Sequence, residues 1–465
     1  MATNLRPIPD TPRPAGTRGK VQSNLKWLYP GMRVKRWLLL IPLGMVPILL
    51  GVLSLIGLRT VEIHERMEIF LLERLGVTPN VPAVYVPLGI TLILIGMAII
   101  LTAFALVNRS IVQAIAPDSL SELPDKLHRR IALSQGAKTV ALGGGTGLST
   151  LLRGLKQYTS NLTAVVTMTD DGGSSGLLQR QLVAGILPPG DIRNCLVALA
   201  DSEPRMQELF QYRFETRDEK DGLYGHSFGN LLIAAMADIT GDFERAVEET
   251  STILNIRGRV LPTSVDSVVL VGEMADGTEI TGETSIAGTD VPIQRIKLCP
   301  DSPKPLSNVI EAIRQAEIIV MGPGSVFTSI IPNLLVKEIA QAVAASPALK
   351  VYVCNVMTQP GETDDFTASD HVRVIEEHVA PFLTPRQRIF DYVLVNAVRP
   401  SSEALARYQN VGAEFVVPDV EKIAAMGYKP VKGNFISERT VVRHDPEKIA
   451  RAVLRLFSER PFMGK

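Results

Sequence analysis

The stretch that most limits how this chain can fold is Lys138–Gly176. A short apolar run, Lys138–Leu142, breaks into Gly143-Gly144-Gly145-Thr146-Gly147, and an amphipathic segment, Leu148–Tyr158, follows. A second apolar run, Leu162–Thr169, then ends in Asp170-Asp171-Gly172-Gly173. Strand, glycine turn, helix and strand form the first unit of a nucleotide-binding α/β fold. Glycines let the turn approach a phosphate, and the helix N-terminus offers it unpaired N–H groups and partial positive charge. Leu148 stands where the dinucleotide fingerprint needs glycine or alanine, which disfavours a nicotinamide oxidoreductase. No Gly-Lys-Ser/Thr follows, so this is not a Walker loop either. Asp170 and Asp171 fall at a strand's C-terminal end, where such sheets bind ligands. The pair suits a ribose, a divalent cation or a substrate ammonium, and the loop alone does not choose.

From Ala137 onward apolar runs alternate with helical patterns. The expected strands are 138–142, 162–169, 317–321, 350–354 and 391–395, with a further one at 441–442. That alternation predicts a Rossmann-like α/β fold, a doubly wound, mostly parallel sheet covered on both faces. Residues 267–298 instead alternate with period two around Asp276-Gly277, the pattern of a small antiparallel β insertion. The chain has 465 residues, with 48 Lys/Arg against 48 Asp/Glu, so overall charge does not point to nucleic acid. Its three cysteines lie far apart and its histidines form no H-x-x-x-H pair, which argues against disulfides and a transition-metal site.

The N-terminal part divides differently. Residues 1–36 carry eight Lys/Arg against Asp10 alone, with many prolines, and read as a disordered basic arm. Trp37–Leu58 is 22 residues without a charge, and Val81–Val107 is 27. The shorter run would reach about 33 Å as a helix, so 37–107 is expected to be a two-helix transmembrane hairpin. Both outer flanks are more basic than Arg59–Asn80, which predicts cytoplasmic termini and a cytoplasmic main domain. Ile63, Met67, Phe70 and Leu71 recur at helical spacing and predict a short surface helix in that loop. Residues 108–136 read as a connector, and 137–465 as the main α/β domain.

Further polar loops follow the strands and helix starts. Pro188-Pro189-Gly190-Asp191-Ile192-Arg193-Asn194 enters a helix that Asp191 is placed to cap. Gly225-His226-Ser227-Phe228-Gly229-Asn230 opens another, with Ser227 as cap. Gly322-Pro323-Gly324-Ser325 is a second glycine turn after a strand, and 354–363 follows the next strand in the same way. Several polar loops at one sheet edge argue for a site more strongly than any one does.

The segments GGGTG, TDDGGSSG, PPGDIRN, GHSFGN, GPGSVFTSIIPNLLV and YVCNVMTQPGETDDFTASDHV, in this order, resemble the YvcK-like gluconeogenesis factors. These belong to the superfamily of the 2-phospholactate transferase CofD. The resemblance covers about 137–457 and implies a regulator that binds UDP-sugars, notably UDP-N-acetylglucosamine. Such a protein links carbon metabolism to cell-wall precursor synthesis and cell shape. By resemblance, Gly144, Gly145 and Thr146 contact phosphate, Asp170 and Asp171 line the site, and Asn194, His226 and Asn230 surround it. Gly324 and Ser325 join from the second turn, Arg443 pairs with the diphosphate, and Tyr408 packs on base or sugar. Many members carry a basic residue directly after Ser-Ser-Gly; here it is Leu177, with Arg180 nearest. The competing expectation is a CofD-like transferase, moving 2-phospholactate or a nucleotidyl group, with Asp170 and Asp171 catalytic and Mg²⁺ on Asp171. No organic cofactor is expected under either reading. The expected partners are a UDP-sugar, the membrane, a cell-wall precursor enzyme and a second copy of the chain.

Overall fold

A computed structural model describes residues 35–56, 81–115, 123–181, 187–201, 204–215, 222–409, 412–438 and 442–460, with isolated positions between 66 and 74. The chain divides into two compact units, 1–127 and 128–465. Residues 1–34 of the basic arm lie outside the described residues, as does most of the helix expected between Ile63 and Leu71, whereas Lys35 and Arg36, expected in the arm, begin a helix.

In the first unit Leu40–Ile56 and Val81–Ile115 are helices, the latter running eight residues beyond the expected end at Val107. They pack antiparallel through glycines. A Cβ built on Gly51 would lie 2.6 Å from the Gly89 carbonyl oxygen, and one on Gly96 would lie 2.5 Å from that of Gly44. Only glycine lets the backbones approach so closely, a common device of helix pairs in lipid. By length and composition Val86–Ser110 is the one described helix that could cross a membrane. The expected first span is interrupted by a turn at Leu39, between Lys35–Leu38 and Leu40–Ile56. The longer piece has 17 residues and rises about 25 Å, short of the ~30 Å bilayer core. Two spanning helices are therefore not supported by these elements alone.

The second unit is built on a seven-stranded parallel sheet. Its first strands are β1 (Thr139–Gly143), β2 (Leu162–Val166) and β3 (Arg259–Pro262). Next come β4 (Val269–Met274), β5 (Glu279–Thr281) and β6 (Ile293–Cys299), which form the expected antiparallel insertion in the order β5-β4-β6. The main sheet resumes with β7 (Ile318–Met321), β8 (Leu349–Val353), β9 (Tyr392–Asn396) and β10 (Lys429–Gly433). Its order is β10-β9-β8-β7-β1-β2-β3. The Val441–Val442 strand is displaced: β11 (Ile436–Ser437) pairs antiparallel with β12 (Arg443–His444) in a separate ribbon.

Alternation along the strands feeds two cores. Val140, Leu142, Ile319 and Met321 enter one, while Ala141, Ala164, Ile318 and Val320 enter the other. Both faces are therefore covered, as a parallel sheet requires. From β1 the chain first goes to β2 on one side, and β7 later pairs on the other. That reversal of strand order opens a crevice beyond the carboxyl ends of β1 and β7.

Candidate functional site

Both glycine turns end on this crevice. After β1 the helix Gly145–Leu155 begins at Gly144, an N-cap residue with no side chain of its own to cap it. Gly145 sits at φ +59°, a left-handed conformation that favours glycine. Buried Asn333 donates from Nδ2 to the Gly143 carbonyl, at 3.1 Å, and to that of Ser329, at 2.8 Å, tying the two turns together. They touch backbone to backbone: a Cβ on Gly147 would lie 2.2 Å from the Pro323 carbonyl oxygen.

The cavity between the turns has a volume of about 470 Å³, within the ~300–1,000 Å³ usual for small-molecule sites. Gly144, Gly145 and Thr146 line it from the first turn, Gly324 and Ser325 from the second, and Tyr408 and Arg443 from the C-terminal part. The structure thus brings seven of the expected site residues to one place. Tyr408 donates its hydroxyl to the Val442 carbonyl at 2.9 Å, which fixes the ring beside Arg443. His444 donates from Nε2 to the Cys354 carbonyl at 3.1 Å, and burial lowers its pKa to about 4, so the ring is neutral. Asp445 caps the last helix, accepting from the Glu447 and Lys448 amides. Within Arg443-His444-Asp445, two residues anchor the ribbon and the arginine faces the cavity.

The remaining expected residues are placed elsewhere. Asp171 Oδ1 accepts from the Thr284 amide at 2.9 Å and from its hydroxyl at 2.7 Å, binding the loop to the β insertion. Asp171 is absent from the cavity lining, and its Oδ1 is already doubly bonded. Asp170 Oδ1 accepts from the Gly172 amide at 3.0 Å. A Cβ on Gly190 would lie 2.8 Å from Asp170 Oδ2, so this carboxylate rests against the start of the helix Gly190–Leu199. His226 and Asn230 are buried outside the lining and meet at Ser174, whose Oγ lies 3.2 Å from His226 Nδ1 and 3.1 Å from Asn230 Nδ2. Burial lowers the pKa of His226 below the ordinary imidazole value. Asn194 accepts from Arg193 Nη2 at 3.0 Å, and Arg193 Nη1 bonds Ser227, which caps the helix Phe228–Thr240 as expected. Arg193, Ser174, His226, Ser227 and Asn230 are buried, and with half-buried Asn194 they form a polar network outside the cavity lining. The side chain of Arg180 is outside the described set.

Asp191 does not take the capping position expected for it. It lies inside the helix, where Pro189 holds the N-cap, and its carboxylate accepts from the Gly145 amide. Burial, then the charge of Asp170, pushes its pKa up to about 7. Two further acids line the cavity and were missed. Glu283, from the β insertion, is pushed up to about 9 by burial first, then by Asp170, Asp191 and Glu362. Burial also raises Glu362 to about 7, against the opposing hydrogen bond from the Ser325 hydroxyl. Glu362 lies in the GETDDF run already noted, but only folding reveals its partner. Glu283 had no sequence signal, because it comes from an insertion more than 100 residues downstream of the first turn.

Comparison with known proteins agrees with this geometry. The family model described as 2-phospho-L-lactate transferase CofD matches residues 139–436. The chain belongs to the CofD family. Among relatives of this CofD-family protein, the gluconeogenesis factor of Halalkalibacterium halodurans is 50% identical over 316 residues, 68% of this chain and 95% of its own. The gluconeogenesis factor of Bacillus subtilis (strain 168) is 46% identical over 328 residues, 70% of this chain and 100% of its own. A relative from Nostoc sp. (strain PCC 7120) is 45% identical over 445 residues, 95% of this chain, so that match extends into the N-terminal unit. A crystal structure of a UPF0052-family protein from Bacillus halodurans superposes with TM-score 0.64 at 48% identity, covering 69% of this chain and 99% of its own. The Rossmann-like fold and the YvcK-like branch of the family follow from these matches.

Proposed function

We propose that the cavity binds a UDP-sugar, with UDP-N-acetylglucosamine the first ligand to test, and that this CofD-family protein is a regulator rather than a metabolic enzyme. The observation that carries the reading is the convergence of two glycine turns and Arg443 on one cavity at the strand-order reversal. Backbone N–H groups and a guanidinium fork suit a diphosphate. The Asn355–Gln359 loop, with Glu283 and Glu362, supplies donors and acceptors for sugar hydroxyls. Tyr408 offers a ring face beside them. The names of the relatives support a link to carbon metabolism, and the proposed output is control of cell-wall precursor supply and cell shape through a partner enzyme.

The tether belongs to the same proposal. Val86–Ser110 makes one crossing, while Lys35–Leu38 with Leu40–Ile56 completes the other, leaving both termini and the main domain cytoplasmic. Cysteine labelling from outside the cell should then reach 59–80 and spare the segment after Ile115.

A second reading, group transfer, draws on Asp170 and Asp191. Their mutual repulsion would be relieved by the Mg²⁺ that a diphosphate carries. Asp171 fits that ion poorly, because Thr284 already holds its Oδ1 with two donors. Calorimetry with UDP-N-acetylglucosamine tests the first reading. Arg443→Ala should weaken binding more than tenfold, since a charge-assisted phosphate contact contributes roughly 1.5–3 kcal/mol. Unchanged affinity would remove Arg443 from the site. Sustained turnover of UDP-sugars with Mg²⁺ and an acceptor, lost in Asp170→Asn, would replace the regulator reading with a transferase.

A further inference from the structure

The cavity between the glycine turns carries unlike charge at its two sides, and strand order fixes which side is which. Across the crevice the strands run β8-β7-β1-β2. Arg443 belongs to the β8 side, because its neighbour His444 is bonded to the carbonyl of Cys354, the residue directly after β8. Arg153 adds to the charge there. It lies on the helix Gly145–Leu155, about one turn beyond cavity-lining Thr150, and near enough to Arg443 for the two charges to repel.

The carboxyl groups take the other strands. Glu362 accepts from the hydroxyl of Ser325, in the turn after β7. Asp191 rests against the turn after β1, where a Cβ on Gly144 would lie 2.5 Å from its Oδ2. After β2, Glu283 Oε2 accepts from the hydroxyl of Thr169 at 3.4 Å, and Asp170 follows Thr169 directly. Neighbouring strands lie about 4.8 Å apart, so β8 and β2 are separated by about 14 Å. A ligand that fills the cavity therefore has one end at arginine and the other among carboxyl groups. Glu283 shows how that second end treats negative charge. Burial first, then Asp170, Asp191 and Glu362, push its pKa up to about 9. Arg193 opposes this at Asp191, but its Nη atoms are held by Ser227 and Asn194.

We infer that the cavity selects nucleotide sugars by the charge of the sugar, holding an uncharged, hydroxyl-rich sugar beside Glu283 and Glu362 and rejecting one that bears a carboxylate. The inference rests on the UDP-sugar reading and narrows it to a class of sugar. A carboxyl group accepts from a sugar hydroxyl whether or not it is ionised, so the acidic end costs a neutral sugar little. A ligand carboxylate has no hydrogen to donate, and it meets the charge of Asp170 and Asp191 in a buried place where screening is weak. The same polarity sets the ligand's direction, with the diphosphate toward Arg443 and the sugar toward β2.

The test titrates the full chain, in detergent and EDTA, with UDP-N-acetylglucosamine, UDP-glucose, UDP-xylose and UDP-glucuronate by calorimetry. UDP-glucose and UDP-glucuronate differ only at C6, a hydroxymethyl group in one and a carboxylate in the other. UDP-xylose lacks that carbon and controls for its contacts. UDP-glucuronate should bind at least about tenfold more weakly than UDP-glucose, the effect of one like charge at short range in a poorly screened site. UDP-xylose should bind more tightly than UDP-glucuronate. Glu362→Gln and Asp170→Asn, which keep side-chain shape, should each narrow the gap between UDP-glucose and UDP-glucuronate. UDP-glucuronate binding as tightly as UDP-glucose would overturn this inference and leave the UDP-sugar reading standing. UDP-xylose binding as weakly as UDP-glucuronate would assign the loss to missing contacts at C6 and overturn the charge argument, as would a gap unchanged in both variants. The wild-type comparison decides even where a variant does not fold. No binding of any of the four would overturn the UDP-sugar reading and the inference with it.

Discussion

Gly147→Ala separates two opposing effects whose signs differ. In the first turn of the helix Gly145–Leu155, replacing glycine by alanine should stabilise by roughly 0.5–1 kcal/mol, because less backbone entropy is lost on folding. Against that stands the contact between the turns. The added Cβ would lie 2.2 Å from the Pro323 oxygen, 2.7 Å from its carbonyl carbon and 2.8 Å from Gly324 Cα. All three are backbone atoms, so no rotamer relieves the clash and the turns must separate by about 1 Å to restore ordinary packing. Overpacking of this kind costs about 1–3 kcal/mol, which outweighs the helix gain. The expected net loss is about 1–2 kcal/mol, or several degrees in Tm. Because the displaced atoms shape the cavity, UDP-N-acetylglucosamine affinity should fall as well. Gly154→Ala is the control: its Cβ would lie 1.9 Å from the Pro446 oxygen, away from the cavity. It should lower Tm and spare affinity. Thermal unfolding and calorimetry on both variants suffice. A Gly147→Ala protein with raised Tm and native affinity would show that the turns are not in contact, and the description of the site would fail.

Other outcomes follow from the same geometry. Glu283 has a folded-state pKa of about 9 against an ordinary 4.5, so the native state holds a proton that the unfolded chain releases. Its contribution is fully present below about pH 4.5 and is lost as pH rises through about 9. Glu283→Gln should therefore flatten the decline of Tm between neutral pH and pH 9; a parallel decline in both proteins would refute the assignment. Asp171→Asn should lower stability by about 1 kcal/mol by weakening the Thr284 contacts while leaving ligand affinity near native, and a large affinity loss would return Asp171 to the site. Gly51→Leu should separate the two apolar helices, read as lost crosslinking between cysteines at 48 and 93 in detergent; retained crosslinking would contradict the glycine contacts.

The local sequence determined the repeating units and their ends. Continuous apolar runs, glycine turns and polar helix starts are short-range signals, and β1, β2, β7, β8 and β9 all fall within a residue or a few of where those signals place them. The two edge strands escaped. β3 and β10 each contain proline and basic residues, which a central strand excludes but an edge tolerates, since one side needs no partner. The first apolar run was legible as apolar, but the turn at Leu39 that shortens its helix was not. Tertiary structure alone decided which carboxylates meet. Asp170 and Asp171 are neighbours in the chain, yet one turns toward Gly190 and the other toward Thr284. Glu283 and Glu362 come from distant loops to line the cavity, and Asp191 leaves the capping position for the Gly145 amide. Burial and mutual charge set the protonation of these acids, and both depend on the distances between elements that only the folded sheet brings to one edge.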